Sequence, residues 1–176
     1  MTEILYGEEA QAKLLEGVNL VANTIKGTLG PKARTVIIKR NNRPVIINDG
    51  VTIARAIQSD DEFIQMGVEL LQQVASEAQE NTGDGTTTAS ILAQEMCNIG
   101  TNLIKGGTCP IQLKNEIDIS AREVVGRLDA MAKPIESIDD MAYVATIAAN
   151  NDENLGSLIA DVFQEIGKDG IITVED

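Results

Sequence analysis

A hexapeptide of glycine, aspartate and threonine, Gly83-Asp84-Gly85-Thr86-Thr87-Thr88, lies between two segments with helical periodicity. Before it, apolar residues recur every three or four positions, at Phe63, Met66, Leu70, Val74 and Ala78. After it, the same spacing recurs at Ala89, Leu92, Met96, Ile99 and Leu103. Apolar residues with this spacing share one face of a helix. The sequence therefore predicts one helix that ends at the hexapeptide and another that begins there.

The composition of the hexapeptide suits a loop that binds phosphate. Glycine lets a backbone approach a ligand closely, and the first turn of a helix offers unpaired N–H groups and the positive end of its dipole. Asp84 would repel a phosphate, but it could hold Mg²⁺, which bridges carboxylate and phosphate oxygens. The alternative is a plain glycine turn in which Asp84 or a threonine caps the outgoing helix. The residues alone leave both interpretations open.

The overall composition excludes several classes of function. With 14 basic and 27 acidic residues, the 176-residue chain has a net charge of −13, which argues against nucleic acid or an anionic membrane as a partner. No apolar run is long enough to cross a membrane, so we expect a cytoplasmic protein. Histidine is absent, which removes histidine-activated nucleophiles and histidine-ligated metals from this chain. The two cysteines, Cys97 and Cys109, are expected to be reduced and without a catalytic role.

The remaining elements predict a mostly α-helical fold with a small β-hairpin and an α+β segment at the C-terminal end. Apolar stripes with helical spacing indicate further helices over Ala10–Ile25, Leu113–Met131, Met141–Ala148 and Leu155–Ile166. Two β-branched runs, Thr35–Lys39 and Val45–Ile47, indicate a hairpin. Short terminal strands are predicted at Thr2–Tyr6 and Ile171–Val174. A glycine in the middle of a helix, as at Gly67, predicts a close approach of two helices.

Two further glycine turns stand out, Thr28-Leu29-Gly30-Pro31 and Asn48-Asp49-Gly50. In the first, Gly30 supplies flexibility and Pro31 fixes φ. In the second, Asp49 can make a local hydrogen bond to the backbone, which is the ordinary role of aspartate in a turn. Taken singly, each is only a turn. They gain functional interest if they fold against the hexapeptide.

The order and spacing of these three turns resemble those of the bacterial GroEL-type (group I) chaperonins. The resemblance extends along the chain, through Gly17-Val18-Asn19, Asn81-Thr82, Ala148-Ala149-Asn150-Asn151-Asp152 and Gly170–Asp176. Members of that family form stacked rings that enclose non-native proteins and hydrolyse ATP. By this resemblance, residues 1–133 are the first part of the equatorial ATP-binding domain, and residues 134–176 are the first part of the intermediate (hinge) domain. The chain would then be an N-terminal fragment that lacks the apical domain and the C-terminal half.

The resemblance also implies roles for individual residues toward ATP and Mg²⁺, with K⁺ as a further cation. The nucleotide-binding residues would be Thr28, Leu29, Gly30, Pro31, Asn48, Gly50, Asp84, Gly85, Thr86, Thr87, Thr88 and Ile147. Asp84 would be the Mg²⁺ ligand, and Asp49 would be the catalytic carboxylate that helps to orient the attacking water. Two positions depart from the family's pattern, since Asn48 stands where many relatives have lysine and Ala148 where many have serine. No P-loop lysine is present, so the metal ion and backbone amides would stabilise the phosphate charge in its place.

The partners implied by the resemblance are other ring subunits, a GroES-type co-chaperonin that acts as a lid, and non-native client proteins bound by the apical domain. Two alternatives stay open: a non-catalytic remnant that only binds nucleotide or full-length subunits, and a fragment of a group II chaperonin. The turn at 48–50 favours group II, whereas the sequence at 150–153 favours group I. ATP hydrolysis is expected of the full-length subunit. The chain alone is expected to hydrolyse ATP poorly, and either to have loose tertiary packing or to self-associate.

Overall fold

The computed structural model describes residues 3–30, 33–40, 42–167 and 170–173, and within these ranges it is mostly helical, as predicted. The helices are α1 (Gly7–Ile25), α2 (Gly50–Ala56), α3 (Glu62–Thr82), α4 (Thr86–Lys105), α5 (Pro110–Met131), α6 (Ile138–Ala148) and α7 (Glu153–Ile166). A short 3₁₀ turn (Lys26–Thr28) follows α1, and strands β1 (Val36–Arg40) and β2 (Arg43–Ile47) form an antiparallel hairpin. The predicted fold class, mostly α with a small hairpin, is confirmed.

The chain divides into two compact units, Met1–Ile117 and Asp118–Asp176, and α5 contributes residues to both. The functional boundary predicted between residues 133 and 134 stays a prediction. Both predicted terminal strands are wrong over the residues described, because 3–6 and 170–173 form no strand. A strand needs a partner to be stable, and among the described residues only β1 and β2 pair. Val174 lies outside the described residues.

The core of the first unit lies where α1, α2 and α3 meet. It is made of aliphatic side chains, as a chain with so few aromatic residues requires: Val18, Val21, Ala22, Ile25, Val51, Ile53, Ala54, Val68, Leu71 and Ala75. The face that α1 buries is the one its spacing predicted, because Val18, Val21 and Ile25 are almost inaccessible to solvent. Burial of one such side chain contributes roughly 1.5–3 kcal/mol, so this cluster holds the three helices together.

The buried face of α3 differs from the predicted one. Its buried residues are Ile64, Gly67, Val68, Leu71 and Ala75. Met66 and Leu70, which belong to the predicted stripe, are about half exposed. The helix carries two overlapping apolar stripes one position apart, and α1 packs on the second of them.

Part of the face that α4 turns toward α1 is polar. Gln94 Nε2 donates to Oδ1 of Asn19 at 2.6 Å and to Oδ1 of Asn23 at 3.1 Å, and Asn98 Nδ2 donates to Asn19 Oδ1 at 3.2 Å. We call these four residues the amide seam. Because α1 presents two asparagines here, the amides of α4 supply hydrogen-bond partners that an apolar face could not.

The apolar stripes predicted for α4 and α5 are therefore largely exposed within this chain. On α4 the exposed side chains are Leu92, Met96, Ile99 and Leu103. On α5 no residue is buried, and Val124, Leu128 and Met131 are all more than half exposed. Helical spacing thus predicted these helices correctly but not which of their faces the chain covers.

The β-hairpin follows the two predicted runs, with Ile37 opposite Ile46 in the register. Val36 and Ile47 pack against the core, whereas Ile37 and Ile46 are 69% and 67% exposed. Side chains alternate between the two faces of a strand, so one face of the hairpin is covered by the first unit and the other is exposed.

The second unit contains the α6–α7 helix pair. A side chain caps each helix, Ser137 at the start of α6 and Asp152 at the start of α7. The two helices touch at Gly156, where an added Cβ would overlap Thr146 of α6. Ala160, one turn further along α7, is 1% exposed. Small residues on α7 therefore allow the close contact between the helices.

Candidate functional site

Two glycines in the left-handed region connect α3 to α4. Gly83 follows α3 with a φ of +71°, and Gly85 precedes α4 with a φ of +78°. Residues with a Cβ rarely adopt this conformation, so both positions favour glycine. A Cβ at either position would have no neighbour within 4 Å. The backbone of this loop is therefore open to a ligand.

The start of α4 has no side-chain cap. The Asp84 side chain accepts a hydrogen bond from the Gly85 amide at 2.6 Å, and Thr82 Oγ1 donates to the Asp84 carbonyl oxygen at 2.7 Å. The alternative interpretation, in which Asp84 or a threonine caps α4, is therefore wrong. The first-turn amides of α4 lie at the positive end of the helix dipole, and no described side chain caps them. An anion would be stabilised there.

The second predicted motif lies directly against the hexapeptide. A Cβ added to Gly50 would lie 2.5 Å from Thr87 Oγ1 and 3.0 Å from Thr86 Oγ1, both closer than ordinary contact. Gly50 and Thr86 are buried and Thr87 is half-buried, whereas Thr88 is exposed. A glycine at position 50 thus lets α2 begin against the first turn of α4. The two glycine turns fold together.

Asp49 is the N-cap of α2. Its Oδ2 accepts hydrogen bonds from the Thr52 amide at 2.9 Å and from Thr52 Oγ1 at 2.5 Å. Asp49 itself is exposed, so solvent and ligands can reach the carboxylate. Thr52 is absent from the predicted site residues. A hydroxyl three positions after a capping aspartate was the signal that could have found it.

The 3₁₀ turn that leads into the motif at 28–31 also contacts α4. The Thr28 hydroxyl donates to the Ile25 carbonyl oxygen at 2.7 Å. Gly30 has a φ of +82°, and Leu29 is half exposed. Pro31 lies outside the described residues. The turn with Gly50 and the 3₁₀ turn that ends at Thr28 are therefore both brought to the helix that begins at the hexapeptide.

The candidate metal ligand, Asp84, does not belong to a cluster of metal-ligating side chains among the described residues. Within the part of the chain that the structure describes, no three His, Cys, Asp or Glu side chains are grouped to hold a metal ion. A Mg²⁺ site would then take one carboxylate from the chain and its other oxygens from phosphate and water, which is usual for this ion. Ile147 lies in α6, in the second unit, and is 62% exposed. Its predicted contact with nucleotide stays a prediction.

Both cysteines are free and exposed. Cys109 precedes α5, where the backbone N–H groups of Gln112 and then Ile111 lower the pKa of its thiol. Partial burial raises the pKa of the Cys97 thiol. Neither residue belongs to the three glycine turns. Across the described ranges, no helix is both long and apolar enough to span a bilayer.

The chain belongs to the TCP-1/cpn60 chaperonin family, whose model matches residues 21–175. Chaperonin GroEL of Methanoregula boonei is 45% identical over 174 residues, which is 99% of this chain and 32% of that relative. The predicted resemblance to GroEL-type chaperonins is confirmed.

Solved chaperonin structures share the fold. Two crystal forms of the chaperonin gp146 from the bacteriophage EL 2 (Pseudomonas aeruginosa), both in the presence of ATP-BeFx, match with TM-scores of 0.80 and 0.73 and identities of 28% and 27%. The matches cover 99% and 92% of this chain, but 31% and 29% of gp146. The chain thus spans about a third of the length of these relatives.

Proposed function

We propose that this chain is part of a chaperonin subunit that binds and hydrolyses ATP, with the nucleotide's phosphates at the start of α4. The observation that carries the proposal is the contact between Gly50 and Thr87. It brings an exposed turn with a carboxylate beside a helix start that has no side-chain cap. The crystals of the related chaperonin gp146 were obtained in the presence of ATP-BeFx, which agrees with a nucleotide site in this chain.

The phosphate contacts would come from backbone amides and threonine hydroxyls over Gly85–Thr88. Preorganised N–H donors stabilise the charge that spreads over the phosphoryl oxygens during transfer. The other proposed nucleotide contacts are Thr28, Leu29, Gly30, Pro31, Asn48, Gly50 and Ile147. Of these, the 3₁₀ turn with Thr28 and the turn with Gly50 already contact α4.

The two carboxylates would have different roles. Asp84, exposed next to the open start of α4, would hold Mg²⁺, which neutralises phosphate charge when it is bound. Asp49 would accept a hydrogen bond from the attacking water and orient it. The sequence contains no histidine that could take this part. K⁺ rests on the family resemblance alone and stays an expectation.

Assembly and chaperone activity are proposals about the whole protein, because this chain spans about a third of its relatives. We place residues 1–133 in the equatorial domain and residues 134–176 in the intermediate hinge domain of a homo-oligomeric ring. In that ring, a GroES-type co-chaperonin and non-native clients would bind the apical domain of the whole subunit.

Isothermal titration of the chain with ATP, with and without Mg²⁺, tests the nucleotide site. Asp84→Ala should remove the gain in ATP affinity that Mg²⁺ provides. The control Asp60→Ala removes an exposed carboxylate from the turn before α3 and should retain that gain. An unchanged Mg²⁺ dependence in Asp84→Ala would rule out the metal assignment, and a chain that binds no ATP would rule out the site.

Hydrolysis needs a separate test, because the non-catalytic alternative also binds nucleotide. Phosphate release by the assembled ring should be largely lost in Asp49→Asn while ATP still binds. A ring that binds ATP without any phosphate release would favour the non-catalytic alternative.

A further inference from the structure

One carboxylate oxygen of Asp49 accepts two hydrogen bonds from the same residue. Thr52 donates to Oδ2 from its amide at 2.9 Å and from Oγ1 at 2.5 Å. The amide bond alone satisfies the capping role of an aspartate at a helix start, so the hydroxyl bond is a further constraint. Every hydrogen bond that the described residues make to this carboxylate goes to Oδ2, so none of these residues occupies Oδ1.

We propose that Thr52 is a positioning residue for Asp49, whose hydroxyl fixes the rotation of the carboxylate and keeps Oδ1 available to the attacking water. This rests on the proposed function, in which Asp49 orients that water. The last torsion of an aspartate side chain is broad, so a carboxylate with one anchor rotates over a range of orientations. Two hydrogen-bond donors on one carboxylate oxygen narrow the range of orientations. The alignment of a reacting group strongly affects the rate of the chemical step.

The helix that carries Thr52 gives it a fixed position. Val51 is 7% exposed, and Ile53 and Ala54 are fully buried in the core of the first unit. Gly50, at the start of the same helix, lies against Thr87. The start of α2 is therefore held both by the core and by α4, and the Thr52 hydroxyl is a fixed anchor for the carboxylate.

Steady-state ATP hydrolysis by the assembled chaperonin that contains this chain tests the proposal. Thr52→Val keeps the amide and the branched shape but loses the hydroxyl, so kcat should fall about tenfold with KM for ATP unchanged. Thr52→Ser retains the hydroxyl and should restore most of kcat. The control Thr24→Val loses a hydroxyl that bonds to the Leu20 carbonyl in α1, and it should leave kcat unchanged. If Thr52→Val lowers only the melting temperature and not kcat, the positioning role is wrong.

A double-mutant cycle with Asp49→Asn tests the role of Thr52 separately from the proposed role of Asp49. If Thr52 acts through Asp49, Thr52→Val should cause no further loss of kcat in the Asp49→Asn background. Additive losses would overturn the positioning role while leaving the role of Asp49 intact. An undiminished kcat in Asp49→Asn alone would overturn the proposed role of Asp49, and the role of Thr52 with it.

Discussion

Gly17 of α1 and Gly67 of α3 lie at the point where the two helices touch, and a side chain at either position would overlap the facing helix. A Cβ on Gly17 would overlap the carbonyl oxygen of Ile64, and a Cβ on Gly67 would overlap that of Leu14. Both glycines are buried. The contact confirms the close approach that a glycine in the middle of α3 predicts, and it sets the spacing of the helices that form the core.

Gly67→Ala should destabilise the first unit. The added methyl would lie well inside contact distance of the Leu14 carbonyl oxygen, a backbone atom that cannot rotate away. Overpacking costs about 1–3 kcal/mol, and an overlap this close belongs at the upper end, above the gain of about 1 kcal/mol in helix propensity. Urea unfolding followed by circular dichroism measures the change in the free energy of unfolding. The control is Gly126→Ala in α5, where the new Cβ has no neighbour within 4 Å, and it should be neutral or stabilising. Equal stability of the two variants would contradict the prediction.

Sequence periodicity predicted the helices well because spacing determines which residues share a face. It could not show which face is covered, since that depends on the neighbouring element. On α3 the choice between two apolar stripes was made by α1, and Val68 rather than Leu70 is buried. On α4 the asparagines of α1 selected a polar face with Gln94, which no rule based on apolar spacing would find.

The turns that make up the candidate site could be predicted from the sequence, but the contacts between those turns could not. Glycines with positive φ at 83 and 85 follow from the turn chemistry of the hexapeptide. That Gly50 lies against Thr87 is a long-range contact, and only the packing of α2 on α4 reveals it. Thr52 was missed although its spacing from Asp49 allowed a capping contact, because the sequence does not show that its hydroxyl and its amide bond the same carboxylate oxygen.

Gln94→Leu tests the amide seam. Gln94 is 5% exposed and donates to both Asn19 and Asn23, so leucine would remove two hydrogen bonds and leave amide oxygens facing an apolar side chain. We expect a loss of about 1 kcal/mol in the free energy of unfolding. The control Gln73→Leu removes an exposed amide that pairs with Glu77 on α3, and it should cost less than about 0.5 kcal/mol. A more stable Gln94→Leu variant would show that the seam is not needed for stability.

The carboxyl group of Asp61 links the stability of the first unit to pH. Its Oδ2 lies 2.5 Å from Lys13 Nζ of α1, and its Oδ1 caps α3 by accepting from the amides of Phe63 and Ile64. The hydrogen bond from Lys13, and then that from the Ile64 amide, hold the pKa of Asp61 below its usual value. The same hydrogen bond raises the pKa of Lys13.

Asp61→Asn should therefore destabilise the chain near neutral pH, and its effect should shrink in acid. Because folding lowers the pKa of Asp61, its contribution is fully present above the unfolded pKa of about 3.9 and is lost as the pH falls through the folded pKa. Asparagine can still cap α3 but cannot form the ion pair. Urea unfolding of both proteins between about pH 7 and pH 2, with Asp60→Asn as the control, measures the difference. A difference that stays constant down to the lowest pH would contradict the assignment.

Gly50→Ala should lower ATP affinity more than it lowers stability. The new methyl would lie 2.5 Å from Thr87 Oγ1 and 3.0 Å from Thr86 Oγ1. These are side-chain atoms, so the Thr87 hydroxyl can rotate away at small cost, which the backbone atoms next to Gly67 cannot do. Rotation would withdraw the hydroxyl from the proposed phosphate site. We expect ATP affinity to fall about tenfold, as for the loss of one hydrogen bond to a charged group, with less than about 1 kcal/mol lost in the free energy of unfolding.

Calorimetric titration with Mg-ATP and urea unfolding on the same preparation would test this expectation for Gly50. The control is Gly100→Ala in the middle of α4, where the new Cβ would lie at an ordinary 3.8 Å from Leu113 Cδ2, and neither quantity should change. Unchanged affinity in Gly50→Ala would mean that the two turns touch without forming a nucleotide site. Affinity that falls only in proportion to stability would mean that their contact is purely structural. A loss of ATP affinity without a matching loss of stability would show that the two turns form one site. The substitution would then act on the nucleotide through Thr87, with the core unchanged.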